Sequence, residues 1–287
     1  MVLRLNPDHP LVWRTPSSLQ FGVEEPVLEV DSVSPELEVV LGLATAGVSR
    51  QVLDALASAR RIGPERVGEV VDELSEVLGD PLPTHPLLGR RILLDGGGAP
   101  AVAVANLLEQ LGAHVQPAPP AGTELRPAAP TPTAAAAGGV DLVVVLAHYA
   151  TAPRRAAVWL RADVPHLLVE FGDRSIRVGP VVVPGHGPCA MCLELTRVDR
   201  DAAWTAIATQ AAGRTAPSAD ALGAATAAVL VARITLQQLA VPAHRSPWRR
   251  RAIRVRRPGF EAGGCVVGGG VVVEVVRGHP RCGCRSP

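Results

Sequence analysis

The chain has 287 residues, 47% of them apolar and 19% charged, with a formal net charge of +1 at neutral pH. The length predicts about two domains with enough chain for proper cores, the composition excludes a disordered chain, and the charge argues against a general polyanion binder. All 28 basic residues are arginine, which excludes Schiff-base chemistry, a lysine general base and a P-loop lysine.

No secretory pattern opens the sequence: the first ten residues carry Asp8 and no apolar run. Five cysteines do not make a disulfide scaffold. The expected location is the cytoplasm, with no membrane partner.

Residues 11–13 and 19–21 flank Pro16-Ser17-Ser18 and read as a hairpin, with a third strand at 27–30. Ser34 is placed to cap a helix opened by Pro35, with Leu37, Val40, Leu41 and Ala44 on one face. Ser49 caps a second helix, with Val52, Leu53 and Leu56 expected to face inward. Pro64 opens a third, striped by Val67, Val70, Val71, Leu74, Val77 and Leu78. Three strands and three amphipathic helices predict a small winged-helix-like domain over 1–84, or else a plain cap domain. It ends in the turn-rich Gly79-Asp80-Pro81-Leu82-Pro83-Thr84.

Residues 85–287 alternate strand and helix. A strand at 91–95 runs through Gly96-Gly97-Gly98 into a helix at 100–111. The proline- and alanine-rich stretch 116–139 reads as a low-complexity loop. A buried strand at 140–146, a helix at 154–161 and a strand at 166–170 complete a βαβ pattern. The expected fold class is therefore α/β, with a doubly wound, mostly parallel, Rossmann-like sheet. The apolar stretch 219–240 carries Arg233 and Gln237 and reads as a buried helix, not a membrane span.

Gly96, Gly98 and Ala101 form a G-x-G-x-x-A loop between strand and helix, where a helix N-terminus can receive a phosphate. The same glycines can instead serve close helix–sheet packing. Cys189-x-x-Cys192 and Cys282-x-Cys284 are two short pairs able to supply four thiolates to one tetrahedral structural zinc. Four separate buried thiols or two disulfides are the other readings, and a cytoplasmic setting disfavours the disulfides. His186 and His279 flank these pairs as alternative ligands or supporting donors. Cys265, in a glycine-rich strand, reads as a core thiol ahead of a catalytic one. The charge-dense stretch 193–204 reads as a solvated turn. Arg249, Arg250, Arg251, Arg254, Arg256 and Arg257 make a basic stretch that can face water or dock an acidic partner.

Together, Arg91 to Gly98, Val140 to Val145, Gly179 to Leu193 and His279 to Cys284 resemble the ThiF-like (ubiquitin-activating-enzyme-like) fold. Within it, residues 85–287 are similar to the leader peptide-binding cyclodehydratase partners of thiazole/oxazole-modified peptide (TOMM) biosynthesis. Residues 193–204 resemble that branch's stretch after C-x-x-C, and the N-terminal segment resembles its PqqD-like recognition element. The resemblance implies zinc on Cys189, Cys192, Cys282 and Cys284. It also implies a leader peptide added as a strand along Val27, Leu28, Glu29 and Val30, against the helix of Val70, Val71 and Leu74. The family's adenylating members use acidic, arginine and lysine residues after the second strand and an aspartate after the fourth. Here those places hold Gln116-Pro117-Ala118-Pro119-Pro120 and Ala147-His148, so ATP is not an expected cofactor.

The expected function is a non-catalytic scaffold that binds a precursor's leader peptide. It would present the core peptide to a YcaO-type, ATP-dependent, azoline-forming cyclodehydratase, and a homodimer is compatible with it. The alternatives are an adenylating enzyme acting on a C-terminal carboxylate, and a winged-helix regulator using residues 249–257. The acid-rich first 84 residues disfavour nucleic acid as the partner.

Overall fold

The computed structural model describes residues 2–81, 83–118, 139–257, 259–261, 264–266 and 270–285. Most of the proline- and alanine-rich loop lies outside the described residues, and so does the side chain of Cys265. The chain divides into two compact units, Met1–Thr84 and His85–Pro287.

In the first unit β1 (Val2–Leu3) pairs with β5 (Val48–Ser49), and β2 (Leu11–Thr15), β3 (Ser18–Phe21) and β4 (Leu28–Val30) form an antiparallel sheet in that order. Three helices follow, α1 (Pro35–Ala46), α2 (Arg50–Ala59) and α3 (Pro64–Glu73). Ser34 caps α1 by accepting from the Leu37 N–H at 3.1 Å, and Ser49 caps α2 through the Val52 N–H at 3.3 Å. Leu19, Phe21 and Val30 from the sheet share one core with Leu37, Leu53 and Val70 from the helices and with Leu74, which follows α3. The inward face of α2 differs from expectation. Leu53 and Ala57 are buried, while Val52 and Leu56 are exposed. Leu53 and Ala57 are four apart and stack on one face, whereas Val52 and Leu56 sit one residue, or about 100°, around the helix.

The second unit is built on a seven-stranded sheet. Its strands are β6 (Arg91–Asp95), β7 (His114–Pro117), β8 (Leu142–His148), β9 (His166–Phe171), β10 (Ser175–Val182), β11 (Arg251–Arg256) and β14 (Val271–Val275). The order across it is β14-β11-β10-β9-β8-β6-β7. A separate two-stranded piece pairs β12 (Gly259–Glu261) with β13 (Gly264–Val266). Parallel pairing holds from β7 through β9, whereas β10, β11 and β14 join antiparallel. The doubly wound pattern thus describes four strands, and the remainder is an antiparallel extension.

The helices of this unit are α4 (Gly98–Gln110), α5 (Pro153–Arg161), α6 (Ala190–Arg200), α7 (Trp204–Ala211) and α8 (Ala221–Leu239). One sheet face packs against α4 and α8, through Val104, Leu108, Ala227 and Val231. The other packs against α5 and α6, through Trp159, Ala190 and Leu193. The chain leaves β6 toward β7 on one side and returns to β8 on the other. The C-terminal ends of β6 and β8 therefore flank the topological switch point, where ligands bind in sheets of this kind. Among the described residues, α8 alone is long and apolar enough to cross a membrane, and Ala224, Ala227, Val231 and Ile234 on it are buried in the core.

Candidate functional site

The four cysteines come together. Cys189 immediately precedes α6 and Cys192 lies in its first turn, so this pair sits on a helix start. Cys284 falls in a 3-10 turn at Gly283–Arg285, two residues after Cys282. The Sγ–Sγ separations are 3.9 Å for Cys189–Cys192, 3.6 Å for Cys189–Cys282 and 3.5 Å for Cys192–Cys284. All four sulfurs lie within 4.8 Å of one another, and none is in a disulfide. Zinc at about 2.3 Å from four tetrahedral thiolates places the sulfurs about 3.8 Å apart, so the donor set fits that ion.

Burial pushes the Cys189 thiol up to about 11 and raises Cys284 as well. Cys192 is buried too, yet it shifts down because the His279 backbone N–H and the neighbouring cysteines favour its thiolate. A divalent cation would supply the charge that makes all four thiolates tenable. His279 directs its ring at Asp199, with Nε2 2.7 Å from Oδ2. His186 lies near His244, ring centres 6.0 Å apart. Neither imidazole belongs to the cluster.

The glycine loop is shaped by packing. A Cβ on Gly96, whose φ is +146°, would come 2.7 Å from the Leu146 Cβ. Gly98 opens α4 at φ +78°, Ala101 follows in the helix, and no side chain caps the helix start. Across the switch point runs an interaction the sequence did not suggest. Arg155 on α5 donates from Nε to Asp95 Oδ1 at 2.8 Å and from Nη1 to the Leu146 carbonyl at 2.9 Å. Its Nη2 reaches the Asp95 carboxylate at 2.6 Å, and Trp159 donates to Asp95 Oδ2 at 3.1 Å. One guanidinium thus bridges the ends of β6 and β8.

In the first unit, Val27 precedes β4 and is exposed, while Leu28, Glu29 and Val30 form the strand. This strand lies at an edge of its sheet. Val30, Val70, Val71 and Leu74 are buried in one cluster, with Leu28 packed against it.

The stretch 193–204 is not a solvated turn. Arg197 on α6 pairs with Glu170 on β9 and with Glu194, at 2.5 Å for the latter, and its guanidinium stacks on Trp204 at 5.2 Å. Trp204 in turn donates to Glu194 Oε2 at 2.7 Å. Glu170 also accepts from the Thr151 N–H at 2.9 Å and lies 3.7 Å from Arg177 Nη1. Burial alone would raise the Glu170 pKa, but Arg197 and Arg177 outweigh it and hold the carboxyl below the ordinary carboxylate value. Arg177 bonds Glu274 at 3.0 Å, and Glu274 also receives Arg254. Of the basic stretch 249–257, Arg254 and Arg257 are thereby spoken for, the latter by Asp220 at 2.6 Å. The sequence signal for this network is a charge inside an apolar strand: Glu170 in His166–Phe171 and Arg177 in Ser175–Val182. Such residues are rarely buried without partners.

No known protein family matches the sequence, and no curated protein does. Solved structures do. The heterocyclase TruD aligns with a TM-score of 0.68 over 98% of this chain, at 17% identity. Escherichia coli MccB, solved with ATP, aligns with a TM-score of 0.60 over 98% of this chain and 99% of its own, at 12% identity. MccB solved with MccA gives 0.59 over 99% of this chain and its whole own length, at 12% identity. This chain shares their fold. It spans 42% of the length of the TruD chain.

Proposed function

We propose that this chain is a non-catalytic, leader peptide-binding partner of an azoline-forming cyclodehydratase of the YcaO type. The observation that carries the reading is the edge position of β4 (Leu28–Val30) among the described strands of its sheet, on a core shared with Val70, Val71 and Leu74. An extended peptide can add there as a strand, its backbone giving affinity and its alternate side chains giving specificity. The winged-helix-like, PqqD-like character of residues 1–84 and the TOMM branch of the ThiF-like fold belong to the same proposal. The fold likeness to TruD supports it.

The second unit then acts as a body held by structural zinc on Cys189, Cys192, Cys282 and Cys284. Its own side chains argue against ATP chemistry. The chain has no lysine, and the switch point is crossed by Arg155 bound to Asp95. An adenylating transition state needs spreading phosphate charge to be neutralised by convergent donors, and Gly96, Gly98 and Ala101 offer only a helix start. The likeness to MccB solved with ATP favours a second reading, a nucleotide-using enzyme acting on a C-terminal carboxylate.

Two assays separate the readings. The labelled leader peptide of any Cys/Ser/Thr-rich precursor found in the gene neighbourhood is expected to bind in fluorescence polarisation. Binding is expected to weaken roughly tenfold when Val27→Asp puts a charge beside the edge, the scale of one lost apolar anchor. ATP–pyrophosphate exchange with MgATP is expected to show no turnover. Exchange dependent on a peptide carboxylate would overturn the proposal in favour of the second reading.

A further inference from the structure

The ion-pair network lines two adjoining clefts of the second unit. One, of about 640 Å³, opens beside Tyr149, Asp173, Trp204, Ile207 and Arg214. The other, of about 620 Å³, opens beside Arg200, Glu274, Arg277 and Pro280. They share Arg177, Arg197 and Arg254 as common wall. Together they present six guanidiniums against four carboxylates.

Which charges remain available is decided by pairing. Arg177, Arg197 and Arg254 are held by Glu170, Glu194 and Glu274, and Asp199 is held by His279 and Arg281. Arg200, Arg214 and Arg277 are exposed and, among the described residues, their side chains have no partner. Against these stands Asp173, whose carboxylate, among the described residues, accepts only the Arg174 backbone N–H. The uncompensated charge is therefore positive. It is also distributed: Arg200 ends α6, Arg214 follows α7, and Arg277 follows β14. A compact phosphate group is gripped best by guanidiniums that converge on it. Single guanidiniums set apart along a cleft suit carboxylates set apart along an extended chain. Beside these charges the first cleft carries an apolar side chain, Ile207 of α7, which is exposed.

We propose that these two clefts form one groove that docks an acidic peptide segment, its Asp or Glu carboxylates paired with Arg200, Arg214 and Arg277. The groove is distinct from the β4 edge, and the inference stands whether or not that edge binds a leader.

The probe is a fluorescein-labelled peptide of glutamates spaced by glycine and serine, with a glutamine counterpart, measured by anisotropy on the full chain. The glutamate peptide is expected to bind, with affinity falling as salt rises. The variant R200E/R214E/R277E is expected to lose roughly tenfold or more, as removal of charge complementarity does. The control R60E/R161E/R245E, which reverses exposed arginines elsewhere, should keep its affinity. Circular dichroism qualifies each variant, and glutamine at the same three positions replaces the reversal if that unfolds the chain. Trp204→Phe should abolish the tryptophan fluorescence change that the peptide causes. Equal binding of the glutamine peptide, equal loss in the control, or undiminished binding by the triple variant would overturn the proposal. So would displacement by an oligonucleotide of matched charge at lower concentration than by unlabelled peptide.

Discussion

His166 begins β9 with its ring buried. Its Nδ1 lies 3.1 Å from the Val164 carbonyl, while Nε2 has no partner among the described residues. Burial lowers its pKa from 6.5 to about 4. An unfolded chain therefore takes up this proton as the pH falls through about 6.5, and the folded chain only near 4. The stability contributed is full above 6.5 and is lost as the pH falls toward 4, reaching about 3 kcal/mol. His166→Leu is expected to flatten the loss between pH 6.5 and 4 in urea titrations. Glu170 acts in the same direction at lower pH, because its carboxyl is held ionised by Arg197 and Arg177. Glu170→Gln takes one carboxylate from Arg197 and Arg177, which keep Glu194 and Glu274, and should cost about 2 kcal/mol at pH 7, read from the urea midpoint. Neither role was legible as such. His166 reads simply as the first residue of an apolar strand. The Glu170 network needs β9, β10, β14 and α6 to be assembled before its members meet.

At the scale of elements, the helix starts were written locally. Ser34 and Ser49 cap as their spacing implies, because a cap depends only on residues three apart. The rotation of α2 was not, because which of two adjacent stripes faces inward is decided by the neighbours it packs against. The stretch 193–204 failed for a related reason: its charges are satisfied by partners remote in sequence. The cysteine pairs were the clearest signal, since thiolates at such short spacing have few structural uses. Their elements also predict the effect of metal loss. The purified protein should carry about one zinc per chain by plasma mass spectrometry, four thiolates making one closed tetrahedral site. Cys189→Ser should abolish it. Chelation should free the tail after β14 to proteolysis and lower the melting temperature, because metal binding to a site assembled only in the folded state is folding free energy.

At the scale of the molecule, the βαβ alternation pointed to the parallel half of the large sheet, whose buried strands are continuous apolar runs. The antiparallel extension was harder to see. Arg251–Arg256 alternates charge with apolar residues and reads equally as a solvated strip, yet it pairs β10 on one side and β14 on the other. The edge strand β14 leaves Val271, Val272, Val273 and Val275 exposed. An apolar edge of this kind invites pairing with another chain. Val273→Lys is therefore expected to raise the concentration at which the protein self-associates, measured by light scattering.

The bridge from Arg155 to Asp95 and the Leu146 carbonyl has a bearing on any attempt to redesign this scaffold. Grafting a lysine beside Gly98 would leave the ends of β6 and β8 stapled together by a cation whose hydrogen bonds are already committed. The first substitution toward nucleotide use must be the removal of that staple. Since Arg155→Ala alone would leave the Asp95 carboxylate facing any incoming phosphate, the two residues would have to be exchanged together.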